Sequence, residues 1–262
     1  MLRRALVASG FLAVGACVVA AYRGERRATA LIPGALNART YVDGGVDYRY
    51  QLFVPKDFDP AKRWPVIVAL HGSREKGTDG VKQTTNGLAP VVLEQASRFP
   101  AVVVFPQVHP GEPPSRIVRV LDGLVTSAMH DVNGDPQRLY LTGLSFGGLI
   151  GYDLVLHVPG RFAAFVPISA QPIVPAADGF TREPEPVVDA ALVRALHNTP
   201  TWVFHGARDA NVPVDRVRRL VPALRAGGVP VAYTEYADGS HESWDRTYRS
   251  PGLWTWLFAQ HR

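Results

Sequence analysis

The chain has 262 residues, 47% hydrophobic, 10% aromatic and 19% charged, an ordinary globular composition with enough length for a substantial core. Residues 1–27 hold five of the 28 basic residues and one of the 23 acidic ones, so the rest carries +1 of the total +5 and a nucleic-acid reading loses its main support. Cys17 is the only cysteine, which excludes an internal disulfide, a cysteine-based zinc site and a cysteine nucleophile from everything after it.

In chain order, Arg3 and Arg4 precede 18 uncharged residues, Ala5 to Tyr22, a basic n-region followed by an apolar h-region. Three fates fit it: cleavage after the small residues Val19-Ala20-Ala21, lipidation of Cys17 in a loose lipobox, or retention of residues 5–22 as a membrane anchor. Arg23, Arg26 and Arg27 place positive charge on the wrong side for a stable anchor. The expectation is export to a periplasmic or extracellular location, with residues 1–27 as leader, 28–45 as linker and 46–262 as the catalytic domain.

The domain opens with an alternating strand over 48–55 and a turn over 60–64. Residues 65–70 form a continuous apolar run, as in a strand buried on both faces of a parallel sheet. A polar, glycine-rich loop follows over 71–80, then a helix over 86–99 and a second buried strand over 101–105, ending in Pro106-Gln107. A helix over 115–130 and a strand over 138–142 lead into Gly143-Leu144-Ser145-Phe146-Gly147 and an apolar helix over 149–156. After a strand at 164–168 and a proline-rich stretch at 172–186 come a helix (187–197), a strand (201–204), a helix (214–226), a strand (231–236) and a closing helix (253–261). This alternation predicts an α/β fold with a doubly wound, mostly parallel sheet.

Strand, Gly-x-Ser-x-Gly turn and buried helix are the parts of a nucleophile elbow, which makes Ser145 the candidate nucleophile. A serine hydroxyl needs a base, and the base needs an acid to hold its tautomer. His241, on the loop Asp238-Gly239-Ser240-His241-Glu242 beyond the last strand, is placed to be the base. Asp209, just after strand 201–204, is the expected acid. Asp238 is its rival by chain proximity, and Asp131 and Asp135 precede the serine and break the Ser, acid, His order. His205 reads as packed, and His157, His197 and His261 as surface residues at helix ends. The oxyanion donors are expected to be the backbone N–H groups of Phe146 and Ser73, with Glu75, Gln107 and Trp244 as substrate-pocket residues. No cofactor is implied, and no paired ligands occur at metal spacing.

The pieces Leu70-His71-Gly72-Ser73, Phe105-Pro106-Gln107, Gly143 to Gly148, Val203-Phe204-His205-Gly206 with Asp209 and Val212-Pro213, and Gly239-Ser240-His241-Glu242-Ser243-Trp244 resemble the α/β-hydrolase superfamily. Within it they are similar to the bacterial peptidase and carboxylesterase branch related to polyhydroxybutyrate depolymerases and feruloyl esterases. The resemblance spans residues 46–262 and implies an α/β-hydrolase fold without a large lid domain. It also implies a serine esterase with the triad Ser145, Asp209 and His241, acting on a small-molecule or polymeric ester. One departure is Arg74, where relatives usually carry glycine. Peptide hydrolysis and acyl transfer use the same triad and stay open. A non-catalytic binding protein is disfavoured by the intact Ser, Asp and His.

Overall fold

The computed structural model describes residues 30–173 and 184–262, and Leu31–Arg262 forms one compact unit. Residues 1–29, with the expected leader and Cys17, and most of the proline-rich stretch at 172–186 lie outside the described residues. Eight strands make one sheet: β1 (Leu36–Asp43), β2 (Val46–Phe53), β3 (Trp64–Leu70), β4 (Val102–Pro106), β5 (Gly134–Leu144), β6 (Ala164–Ile168), β7 (Thr201–Gly206) and β8 (Val231–Tyr236). Their order is β1-β2-β4-β3-β5-β6-β7-β8. β1 and β2 pair antiparallel, as do β2 and β4, and every later pairing is parallel.

The period-2 geometry of β3 divides the core. Val66, Val68 and Leu70 face α2 (Pro114–Asp131), α3 (Phe146–His157), α4 (Glu185–Leu196) and α5 (Asp215–Ala226), while Ile67 and Ala69 face α1 (Leu88–Glu94), α6 (Trp244–Tyr248) and α7 (Pro251–Phe258). Helices therefore cover both faces of the sheet. α2 buries Ile117, Val120, Leu121, Leu124 and Ala128 along one stripe. α3 is buried on most sides, with Gly151 letting it approach Phe165 of β6. The connection from Ser169 to Pro184 is too short for a large lid domain.

Residues 36–43, expected to be linker, are β1. The inward position there is the polar Asn37, so no apolar alternation marks the strand. Asn37 is 5% exposed and saturated: its oxygen accepts from Ile32 N (2.7 Å), and its amide donates to Ala35 O (3.0 Å) and Leu52 O (3.2 Å). Hydrogen bonds here replace the burial that sequence periodicity detects. The helix expected over 86–99 is shorter, because Gln95 to Pro100 runs as turns. The five residues of α6 are too few to show a helical period in the sequence.

Candidate active site

Ser145 sits between β5 and α3 with φ +51° and ψ −117°, a backbone conformation that non-glycine residues adopt at a cost of about 1–3 kcal/mol. Its surroundings hold it there. Ser145 N–H donates to Ile168 O (2.9 Å), and Ser145 O accepts from Leu149 N–H (3.0 Å). A Cβ at residue 143 would lie 2.4 Å from Gly147 O, and one at residue 147 would lie 2.2 Å from Leu70 O, so both flanking positions require glycine. Phe146 opens α3, and its N–H has no carbonyl one turn back within the helix, at the positive end of the helix dipole.

His241 joins this serine to Asp209. Its Nδ1 donates to Asp209 Oδ2 at 2.7 Å, which leaves Nε2 unprotonated to accept from Ser145 Oγ at 2.9 Å. The Asp209 carboxylate is fully buried and fixed through its other oxygen, which accepts from Asn211 N–H (2.9 Å) and Val212 N–H (2.8 Å). His205 is buried beside it. Its Nε2 donates to Val212 O at 2.8 Å and lies 3.4 Å from Asp209 Oδ2, bracing the loop that carries the acid. Burial lowers the pKa of His205. Asp238, by contrast, is exposed and bonded to Arg246.

The His241 loop is stitched to the end of β7. Ala207 N–H donates to Tyr236 O and Arg208 N–H to Gly239 O, each at 2.9 Å. A Cβ at residue 206 would lie 2.2 Å from Ser240 O, so only glycine admits this approach. On the far side the Trp244 ring meets the imidazole edge to face, centroids 5.5 Å apart. Asn86 fixes that indole: its oxygen accepts from Trp244 Nε1 (3.1 Å) and Gly87 N–H (2.7 Å).

A cavity of about 310 Å³ opens over Ser145 and His241, at the C-terminal ends of the parallel strands. Ser73, Glu75 and Trp244 line it; Asn86, Leu144, Asn211 and Glu242 also line it and were not singled out from sequence. No local motif marks Asn86, which reaches the site through a partner 158 residues away. Gln107 does not line the cavity. It is 2% exposed, and its amide ties the preceding loop together, accepting from Gly80 N–H (2.6 Å) and donating to Asp79 Oδ1 (3.2 Å) and Glu75 O (3.3 Å). Phe146 turns its ring away under Lys76, whose ammonium lies 3.7 Å from the ring centroid. A concavity of similar size, lined by Trp64, Pro100, Arg138 and Phe258, opens elsewhere and contains no histidine or carboxylate. Among the described residues no cluster of His, Cys, Asp and Glu could hold a metal, and no helix is long and apolar enough to cross a membrane.

His71 anchors the loop that presents Ser73. Nε2 accepts from Val108 N–H (2.9 Å), so the proton sits on Nδ1, which donates to Gly72 O (2.6 Å). Burial pushes its pKa down from 6.5 to about 4. Between those values the unfolded chain binds a proton that the folded chain refuses, so stability falls as pH drops through this window. His71→Gln, which can keep both hydrogen bonds, is expected to lose roughly 2–3 kcal/mol less than wild type between pH 7 and 4.5, measured by urea unfolding. Asp153, raised to about 7 by burial, acts in the opposite direction but cancels in the comparison. Equal acid losses in the two proteins would contradict a neutral, buried His71.

A doubly wound sheet carrying a serine elbow after β5, an acid after β7 and a histidine after β8 is the arrangement of an α/β-hydrolase. The chain has the α/β-hydrolase fold. No family model matches the sequence. A Salmonella typhimurium protein provisionally named carboxymethylenebutenolidase is 29% identical over 140 residues, 53% of this chain and 48% of that protein. The chain thus spans about half the length of the curated relatives it matches. A solved thermostable esterase is 30% identical with a TM-score of 0.69, covering 88% of this chain and 64% of the esterase. The feruloyl esterase module of Clostridium thermocellum shares the fold at 13% identity, with a TM-score of 0.66 and coverage of 85% and 88%.

Proposed function

We propose that the protein hydrolyses carboxylic esters through an acyl-enzyme on Ser145. The observation that carries this reading is the 2.9 Å contact between Ser145 Oγ and His241 Nε2, at a strained elbow whose histidine is held from behind by Asp209. Ser145 Oγ attacks the ester carbonyl carbon as its proton passes to His241 Nε2, and Asp209 stabilises the imidazolium. The oxyanion is received by Phe146 N–H, at the start of α3, and by Ser73 N–H across the cavity. Collapse returns the proton to the leaving alcohol, and water then repeats the sequence to release the acid and free Ser145. The small cavity and the absence of a large lid favour small or extended esters, whether free molecules or chain ends of a polymer.

An organophosphonate probe is expected to label Ser145 stoichiometrically, with p-nitrophenyl ester hydrolysis lost in step. Label on Ser73 or Ser240 would remove Ser145 from the nucleophile's role. A peptide amide cleaved as fast as the esters would favour the peptidase reading, and transfer to an added alcohol in preference to water would favour acyl transfer. The basic and apolar pattern of residues 1–27 supports export, and the intact mass of the same labelled protein reports it. Cleavage after Ala21 or a lipid on Cys17 agrees with export; an unmodified chain starting at Met1 in the cytosol contradicts it.

A further inference from the structure

Glu75 has no part in the Ser145, His241 and Asp209 relay, yet it ends the short turn Ser73–Glu75 on the wall of the same cavity. It is only 7% exposed. Its carboxylate receives no hydrogen bond and no cation from any described residue. Of the neighbouring cations, Arg74 is exposed and Lys76 lies over the Phe146 ring. Oε2 folds back over Gly72, 2.9 Å from where a Cβ of residue 72 would stand and beside Leu144, on the wall that Gly72, Ser73, Leu144 and Ser145 share. Its oxygens are not sealed in the core but open to the cavity that Glu75 lines. Such a group in an active-site cavity is an acceptor waiting for a ligand's donor.

Asn86 supplies the complement. Its oxygen is taken by Gly87 N–H and the Trp244 indole, so the NH₂ is the part of this amide left to offer the cavity. A hydroxyl group can donate to Glu75 and accept from Asn86, whereas an ammonium group can only donate. Resting on the ester-hydrolase reading, we propose that Glu75 is a substrate-recognition residue selecting esters that carry a hydrogen-bond donor, a hydroxyl before an ammonium, close to the scissile carbonyl. A site built to bind a hydroxyl discriminates against the analogue that lacks it, because the bound analogue displaces water from the acceptor and leaves it unpaired.

Four esters of nearly equal size test this: ethyl propanoate, ethyl 2-hydroxypropanoate (hydroxyl on the acyl side), 2-hydroxyethyl propanoate (hydroxyl on the alcohol side) and alanine ethyl ester (ammonium). The readout is each donor-bearing ester's kcat/KM relative to ethyl propanoate, compared between wild type and variant so that intrinsic reactivity cancels. In wild type at least one hydroxyl-bearing ester should exceed its ratio in Glu75→Met by about tenfold or more. Glu75→Gln, which keeps an acceptor oxygen, should retain part of the hydroxyl preference. Ratios unchanged by Glu75→Met would overturn the proposal, as would a lowered unfolding temperature with ratios intact, which marks a structural residue. A preference confined to alanine ethyl ester would overturn the ordering of hydroxyl before ammonium. Failure of wild type to hydrolyse any of the four, ethyl propanoate included, would instead overturn the ester-hydrolase reading itself.

Discussion

Asp209→Asn is expected to lower kcat by on the order of 10⁴, and Asp238→Asn by less than about tenfold. The geometry around residue 209 explains the size of the first effect. Oδ1 is bound by the N–H groups of Asn211 and Val212, so an asparagine there must keep its oxygen on that side. Its NH₂ then faces His241 Nδ1 in place of Oδ2. Two donors cannot face one another, so the ring takes the tautomer with its proton on Nε2. That nitrogen can no longer accept from Ser145, although the fold and the cavity are preserved. Asp238 points to solvent, and its ion pair with Arg246 is of the exposed kind that contributes little. Steady-state kinetics on both variants, with unfolding midpoints to show that each is folded, checks the pair. The reverse order of losses would make Asp238 the acid.

Gly147→Ala should be the most damaging single methyl group in the elbow. The new Cβ would lie 2.2 Å from Leu70 O, 2.5 Å from Leu70 C and 2.6 Å from His71 O, all backbone atoms that cannot rotate aside. The clash is relieved only by separating α3 from the end of β3, which moves Ser145 away from the loop presenting Ser73. A destabilisation at or above the roughly 3 kcal/mol upper end of ordinary overpacking is expected, together with loss of ester hydrolysis and of phosphonate labelling at Ser145. Gly160→Ala is the matched control: φ is +69°, but the added Cβ meets nothing within 4 Å, so the cost is the left-handed backbone alone, about 1–2 kcal/mol, with activity kept. Urea midpoints and labelling rates decide. A Gly147→Ala protein with the wild-type midpoint and labelling rate would mean that helix and strand do not approach as described.

What the sequence determined by itself was local or periodic. The runs 65–70 and 101–105 announced strands buried on both faces, because continuous apolar character has few other uses at that length. The elbow was legible because strand, glycines, serine and helix are contiguous, and the backbone constraint acts within a few residues. Asp209 and His241 were legible as candidates by chain order and by their places just after strands. Only the tertiary structure decided the rest. β1 escaped notice because Asn37 satisfies its buried position with hydrogen bonds, which leave no hydrophobic period. Gln107 carried the right motif but spends its amide on the loop behind the cavity, a choice set by where Gly80 and Asp79 fold. Asn86, 158 residues from Trp244 in the chain, and His241, 96 from Ser145, meet because parallel pairing brings successive strand ends to one edge of the sheet. Residue preferences act over a few positions, whereas register and packing set contacts across the whole chain. That is why the sequence proposed the chemistry of this site and its acid, Asp209, while the contacts of its cavity wall and the lack of a partner for Glu75 came from the fold.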